Sequence, residues 1–372
     1  MTAAVHSPLL RPMPARHRLD PQSNVTTLAS VIVVNYNSQA YLENCLQTLL
    51  DTAGDEFEVI VVDNGSSDGS FDRIADLFPE IQLICSSNNL GYGGGNNLGA
   101  QHAYGRYLVF LNPDTVPAAG WLAALTTALE DDSRAGLATS MIVFLDQQDR
   151  INTAGNDVHL TGLTLCRGLG LPVEALDEPS MVGAVSGAAF AIRRDLFELL
   201  GGFDECFFMY MEDSDLSLRA QIAGYHCLYT PHSIIYHDYT LQFGPLKSYY
   251  QERNRYLMLL KAYRWPTLFA LMPALALAEV VTWGYVFLQD RQNWTNKLKA
   301  YGYVLRHWQQ IMVERHETQS LRQMPDRELL RRSVYRLDYA QAITGKIPYL
   351  AHLCFDPLFK FWRGLMLVII KW

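Results

Sequence analysis

From Ser30 onward the chain alternates short, β-branched apolar runs with stretches whose apolar residues recur at helical spacing. Val31-Ile32-Val33-Val34 predicts a strand, and Leu42, Leu46, Leu49 and Leu50 behind it predict a helix. The alternation continues through Val59 to Val62, a helix around Ile74 and Leu77, Ile81 to Ile84, and a helix from Asn96. Tyr107 to Leu111 and a helix over Trp121 to Leu129 complete it. Strands that are apolar throughout, separated by helices, predict an α/β fold with a mostly parallel central sheet covered on both faces.

Between Ala135 and about Pro245 the pattern is less regular, with apolar runs at Ala138 to Phe144 and Gly183 to Ile192 and helices near Leu196 to Leu200 and Asp215 to Ala223. Glycines and prolines between Gly155 and Pro179 predict a long loop or small insertion, a kind of segment that closes over sites in α/β proteins. Beyond Lys247 a helix rich in Tyr, Arg and Leu leads into Pro266 to Leu288, long enough to cross a bilayer. Pro273 and Glu279 interrupt that run, and Trp265, Trp283, Trp294, Lys261, Arg264 and Arg291 flank it, which suits an interfacial or re-entrant helix equally. Leu358 to Trp372 mixes Phe, Trp and Leu with Lys360, Arg363 and Lys371, as a membrane-surface helix does; a dimer contact or a core helix is the plainer alternative. The expected organisation is a disordered tail over 1–28, an α/β domain over 29–262 and a helical, membrane-associated region over 263–372.

Composition narrows the function. With 372 residues and 49% hydrophobic content the chain can bury a large core. A net charge of -8 excludes a nucleic-acid binder, which needs a surplus of Lys and Arg. Cys45, Cys85, Cys166, Cys206, Cys227 and Cys354 are dispersed without a C-x-x-C pair, so they read as reduced, mostly core thiols. The tail carries Pro8, Pro12, Pro14 and Pro21 and has no continuous apolar stretch of the signal-peptide type, so a cytoplasmic protein is expected.

Polar clusters sit where strands are predicted to end, which is where open α/β sheets bind ligands. The first strand runs into Asn35-Tyr36-Asn37-Ser38 and the second into Asp63-Asn64-Gly65-Ser66-Ser67-Asp68-Gly69. A carboxylate such as Asp63 can accept from a base N–H or a ribose hydroxyl, although such turns also occur without any ligand. Asn88 to Gly99 is a glycine-dense turn ahead of a helix; it follows the third strand rather than the first, which counts against a dinucleotide fingerprint. Asn112-Pro113-Asp114 ends the fourth strand and makes Asp114 the metal-ligand candidate, since one carboxylate can hold Mg²⁺ or Mn²⁺ with phosphate oxygens completing the shell. Glu212, Asp213 and Asp215 form the densest acidic cluster, directly after the aromatic run Phe207-Phe208-Met209-Tyr210, and a carboxylate there can serve as general base. His237 ends another apolar run and can complete a metal site with Asp114. Ser186-Gly187-Ala188-Ala189 is a small-residue stretch that can border a pocket.

In this order, over about Val31 to Lys261, these segments resemble glycosyltransferase family 2, the GT-A fold, and within it bacterial rhamnosyltransferase-like and galactofuranosyltransferase-like members. The resemblance implies a nucleotide held on Asn35, Asn37, Asp63 and Asn64, with Asn96 lining the donor pocket. Asn112-Pro113-Asp114 matches the family's D-x-D position, with Asn112 replacing its first carboxylate and Asp114 left to bind the metal. Glu212, Asp213 and Asp215 match its E-D-x-D position, with Asp213 as base and Glu212 as competitor, and His237 matches a metal-binding histidine. It further implies an inverting transfer of a sugar, such as rhamnose, from a dTDP- or UDP-sugar to the hydroxyl of a lipid-linked or glycan acceptor. The protein would then act at the cytoplasmic side of the plasma membrane, peripherally or with one span, and could be a homo-oligomer. Two rivals remain: a nucleotidyltransferase, which would want a Lys or Arg that Asn88 to Gly99 does not contain, and a non-catalytic membrane scaffold with a decayed pocket.

Overall fold

The computed structural model describes residues 9–10, 28–54, 56–239, 245–343 and 345–372. Apart from Leu9, Leu10 and Leu28, the tail expected to be disordered lies outside the described residues. The first half builds strands β1 (Leu9–Leu10), β2 (Ala29–Asn35), β3 (Phe57–Asn64), β4 (Gln82–Ser86), β5 (Tyr107–Leu111) and β6 (Thr115–Pro117). Helices α1 (Gln39–Thr52), α2 (Ser70–Leu77), α3 (Gly91–Ala100) and α4 (Trp121–Asp131) connect or follow them. The strand β7 (Ala135–Phe144) then leads into the short strands β8 (Ile151–Thr153), β9 (Asn156–Val158), β10 (Thr164–Cys166) and β11 (Ser180–Val182), before β12 (Ala189–Arg193) and β13 (His226–His237). Helices α5 (Arg194–Leu199) and α6 (Glu212–Ile222) lie between β12 and β13.

One mixed sheet runs in the order β1-β4-β3-β2-β5-β12-β7-β13-β11, with β6 on β13 and β8 on β7. Strands β4, β3, β2 and β5 are mutually parallel, as the alternating pattern predicts. The exception at the centre is β12, antiparallel to both β5 and β7. Apolar layers pack on both faces: Leu42, Leu46, Trp121 and Leu125 on one side, Phe110, Phe190, Leu196 and Leu216 on the other. The glycine- and proline-rich stretch after Gly155, expected as a long loop or small insertion, contains a small hairpin, β9 paired with β10.

The glycine-dense segment differs most from expectation, because most of it is helix α3 rather than a turn. Its glycines let the helix axis approach the sheet: a Cβ on Gly95 would lie 2.7 Å from Val34 Cγ1, and one on Gly99 2.5 Å from Ile32 Cγ2. Close helix-to-sheet contact thus outweighs the low helix propensity of glycine.

Six helices follow: α7 (Pro245–Ala262), α8 (Trp265–Gln289), α9 (Thr295–Arg306), α10 (Trp308–Ser320), α11 (Asp326–Arg332) and α12 (Ile347–Ile369). They share a third apolar cluster that includes Leu218 and Ile222 of α6, so they pack directly on the α/β domain. Helix α8 is the one described helix long and apolar enough to cross a membrane. The cysteines are all free, but only Cys45 and Cys227 are fully buried; Cys354 is exposed, so most are not the core thiols expected.

Candidate active site

Strand pairing assembles the site from distant parts of the chain. Because β6 pairs antiparallel with the end of β13, Thr115 faces His237, and Asp238 N donates to Asp114 O at 3.0 Å. Residues 114 and 237 therefore meet. Because β12 pairs with β5, Ala189 faces Leu111, and Asn112 N donates to Ala188 O at 2.9 Å. This places the small-residue stretch beside the Asn112-Pro113-Asp114 turn.

Oδ1 of Asp114 and Nε2 of His237 lie 3.3 Å apart. Both atoms are sealed from solvent, and neither makes a hydrogen bond. The other imidazole nitrogen, Nδ1, faces Asn152 Oδ1 at 3.1 Å; in the tautomer that donates to this oxygen, Nε2 presents a lone pair toward Asp114. Two unpartnered acceptor atoms turned toward each other repel, and a cation between them relieves the repulsion. The donor set, one carboxylate and one imidazole with a second-sphere amide orienting the ring, fits a divalent ion such as Mn²⁺ or Mg²⁺.

Asp213 is held from two sides. Its Oδ2 accepts from Gly187 N at 2.8 Å and from Asn156 Nδ2 at 3.2 Å, and its Oδ1 accepts from Ser214 N at 2.6 Å. Tyr92 Oη donates to Gly187 O at 2.6 Å and so braces the same loop. Glu212 is buried beside it, and its Oε2 has no hydrogen-bond partner. Burial, with the charge of Asp213 added, pushes the Glu212 carboxyl up to about 8. Burial raises Asp213 as well, but the donors from Gly187 and Ser214 oppose that shift. Of the two, Asp213 is the one whose ionised form the site supports.

The third acid of this cluster has a different job. Asp215 is paired with Arg219 at 2.7 Å and with Lys261 at 2.8 Å, all three side chains being buried. It ties α6 to α7 and leaves the chemistry to its neighbours.

The expected nucleotide residues divide in the same way. Asn35 faces Asp63 in register and donates through Nδ2 to Asp63 Oδ1 at 3.0 Å, Ser66 Oγ at 3.1 Å and Ser70 Oγ at 2.6 Å. Asn37 is exposed and accepts from Ser67 N at 2.8 Å, so it braces the 65–69 turn from the rim. Asn64 is turned into the fold, bonded to Asn89, Gly91 O and Leu90 N. Asn96 is buried and donates to Tyr92 O one turn back on α3. Asn35, Asn37 and Asp63 thus cluster around one turn, whereas Asn64 and Asn96 act as fasteners around α3.

Spacing in the sequence could not reveal several contributors. Asn152 lies on β8, just ahead of the stretch read as a loop or small insertion, and Asn156 on β9, inside it. Phe208, Tyr210 and Met211, immediately before Glu212, adopt φ of 61°, 65° and 69°, a region costly for such side chains. Asn254 on α7 holds this segment, donating through Nδ2 to the carbonyls of Phe207, Met209 and Tyr210 at 3.1, 3.0 and 2.7 Å. Arg253 adds a bond to Phe207 O at 2.8 Å. Gly91, at φ 76°, leaves room for Phe208 O, which a Cβ there would meet at 2.1 Å. The Arg253-Asn254 pair was legible only as part of a helix rich in Tyr, Arg and Leu.

The model of the family described as "Glycosyl transferase family 2" matches residues 30–200. The chain is 29% identical over 235 residues to an N-acetylglucosaminyl-diphospho-decaprenol L-rhamnosyltransferase of Mycobacterium tuberculosis, covering 57% of this chain and 76% of that protein. It is 25% identical over 226 residues to the rhamnosyltransferase WbbL of Escherichia coli, covering 56% of this chain and 84% of the other. The solved structure of GalNAc-T7 with UDP, GalNAc and Mn²⁺ shares the fold at a TM-score of 0.52 and 18% identity, covering 64% of this chain and, since it is much longer, 48% of its own length. Residues 30–200 are a glycosyl transferase family 2 domain of GT-A fold, and the chain that carries it is a nucleotide-sugar glycosyltransferase.

Proposed function

We propose that the protein transfers a sugar, with rhamnose the leading candidate, from a dTDP- or UDP-sugar to the hydroxyl of a lipid-linked acceptor, with inversion at the anomeric carbon. The observation that carries this reading is that a paired acceptor set, Asp114 and His237, and a donor-supported carboxylate, Asp213, both adjoin the Ser186-Gly187-Ala188-Ala189 stretch: Asn112 N donates to Ala188 O and Gly187 N to Asp213. Asp213 accepts the proton of the attacking hydroxyl, and the hydrogen bonds from Gly187 and Asn156 keep its oxygens aimed while the proton moves. Asn35, Asn37 and Asp63 position the nucleoside. Asp114 and His237 would hold a divalent cation, which when bound supplies positive charge to the departing diphosphate. One displacement by one base, without a covalent intermediate, inverts the configuration. The sugar assignment rests on the names of the two rhamnosyltransferase relatives.

The membrane setting is part of the same proposal. Helix α8 presents Phe269, Met272, Val280, Phe287 and Leu288 to the outside. Its inner face is fastened by polar contacts: Thr267 to Asp326 at 2.6 Å, and Glu279 to Lys297 at 3.1 Å and to Arg255. A helix so tethered on one side and apolar on the other lies in the interface of a bilayer at its cytoplasmic face, rather than crossing it.

Release of nucleoside diphosphate from a panel of dTDP-, UDP- and GDP-sugars, with and without Mn²⁺, tests the reaction. Metal-dependent release from one donor is expected, lost in Asp114→Ala and reduced roughly 10²- to 10⁴-fold in Asp213→Asn. Near-normal transfer by Asp213→Asn would sink the assignment of the base.

A further inference from the structure

The backbone just ahead of Glu212 bends in a way that few side chains tolerate. Phe208 has φ 61° and ψ -58°, and Met209 N donates to Phe207 O at 2.7 Å, which together make a γ-turn of the rare, strained hand. Tyr210 and Met211 follow in the left-handed region, at φ 65° and 69°. We propose that Asn254 is a positioning residue: by holding this strained turn it sets the aim of Asp213, through Tyr92 and Gly187 as well as along the chain. The inference rests on the transferase reading above, in which Asp213 is the base, and adds what keeps that base in place.

Asn254 is fully buried, and both ends of its amide are engaged. Its Oδ1 accepts from Arg253 Nε at 2.8 Å, which orients the amide and directs Nδ2 at the turn. There Nδ2 reaches the carbonyls of Phe207, Met209 and Tyr210, the peptide groups on either side of the strained residues. A return to negative φ at Phe208 or Tyr210 would swing these carbonyls away and leave a buried amide without partners, so the bonds offset the cost of the conformation. The amide grips backbone only, and its hold does not depend on the side chains carried at 207, 209 and 210. Four residues earlier on α7, Tyr250 stacks on the Phe208 ring with centroids 5.5 Å apart, so one face of the helix holds the turn twice. Seven residues on, Lys261 holds Asp215 of α6.

From the turn, contacts reach the base by two routes. In the first, Phe208 O accepts from Tyr92 N at 2.7 Å, at the start of α3, where Gly91 leaves the space for it. Tyr92 Oη donates to Gly187 O at 2.6 Å, and Gly187 N donates to Asp213 Oδ2 at 2.8 Å. Gly187 sits close against both partners: a Cβ there would lie 3.4 Å from Asp213 Oδ2 and 3.5 Å from Tyr92 Oη. The second route is covalent. Met211 caps α6, and its carbonyl accepts from Asp215 N at 2.9 Å, so the left-handed pair at 210 and 211 sets the direction in which α6 departs with Asp213 in its first turn. Releasing the turn therefore frees both ends of the bond between Gly187 and Asp213.

The test compares Asn254→Ala and the milder Tyr250→Leu with the wild type, using the full chain. Amide hydrogen exchange is read by segment, and kcat and KM are measured for whichever dTDP-, UDP- or GDP-sugar the wild type turns over with Mn²⁺. Exchange should quicken about tenfold at 207–213 and also at 186–188, across the sheet from the substitutions. The kcat should fall roughly 10- to 100-fold with KM for the donor held within about threefold, as misaim of a base rather than loss of binding requires. Adding Phe208→Gly to Asn254→Ala lets the turn form without strain and should restore kcat about fivefold. Exchange quickened at 207–211 alone, an unchanged kcat, a loss carried by KM, or no recovery on adding Phe208→Gly overturns the proposal. Should Asn254→Ala fail to fold, Tyr250→Leu decides on the same exchange and kinetic criteria. If the wild type turns over no donor, the reaction assignment is what fails, and exchange at 186–188 decides whether Asn254 positions Asp213.

Discussion

Glu212 and Asp213 are adjacent carboxylates in environments that differ by a few hydrogen bonds. Asp213 has donors on both oxygens; Glu212 has an oxygen with none and a carboxyl raised to about 8. A carboxyl whose pKa is higher in the fold than in the unfolded chain destabilises the fold once ionised. That cost is absent below the unfolded value of about 4.5, grows through the interval, and is complete above about 8. Glu212→Gln is therefore expected to flatten the pH dependence of stability between pH 5 and 9 in metal-free protein and to raise the urea midpoint most at the alkaline end. A variant that lost stability equally at all pH values would remove Glu212 as the source. At this scale the sequence showed the acids and the histidine, because such groups beside apolar runs stand out, whereas the D-x-D position was what the family resemblance implied. It did not show Asn152, Asn156 or Asn254, whose roles come from the strands and helix opposite and leave no periodicity.

The elements explain why the glycine-rich stretch misled. Glycine density reads as a turn from propensity, yet α3 is a helix pressed onto β2 and β3, and its missing side chains are what permit the contact. Gly99→Ala would bring a methyl group 2.5 Å from Ile32 Cγ2 and 3.1 Å from Val62 Cγ2, both in the buried face of the sheet. Although alanine favours helix, overpacking should win, costing about 1–3 kcal/mol in urea unfolding. A more stable variant would mean that α3 stands off the sheet. The parallel strands were legible because each is a short run of Val, Ile and Leu; β12 and β8 were not assigned a direction, since pairing across long separations is set by tertiary contacts.

Over the whole molecule, a buried ion network joins the α/β domain to its helical extension. Lys261 on α7 meets Asp204 and, at 2.8 Å, Asp215, which in turn holds Arg219 at 2.7 Å. The family match stops at residue 200, before Asp213, His237 and the Asn254 clamp, so that match alone does not delimit the working unit. Lys261→Met leaves two buried carboxylates short of a cation and is expected to cost about 3–5 kcal/mol, read from the urea midpoint of the intact chain. A loss under 1 kcal/mol would show that the extension is only loosely docked. The central strand carries a further consequence. Since β12 lies between β5 and β7 but is made after both, the facing edges of β5 and β7 stay open in a chain emerging from the ribosome until residue 193 is out, and the other edge of β7 until β13 follows. Sheet closure must therefore wait on synthesis, and the interval in which those edges stand bare is when the nascent chain is most exposed to pairing with the wrong neighbour.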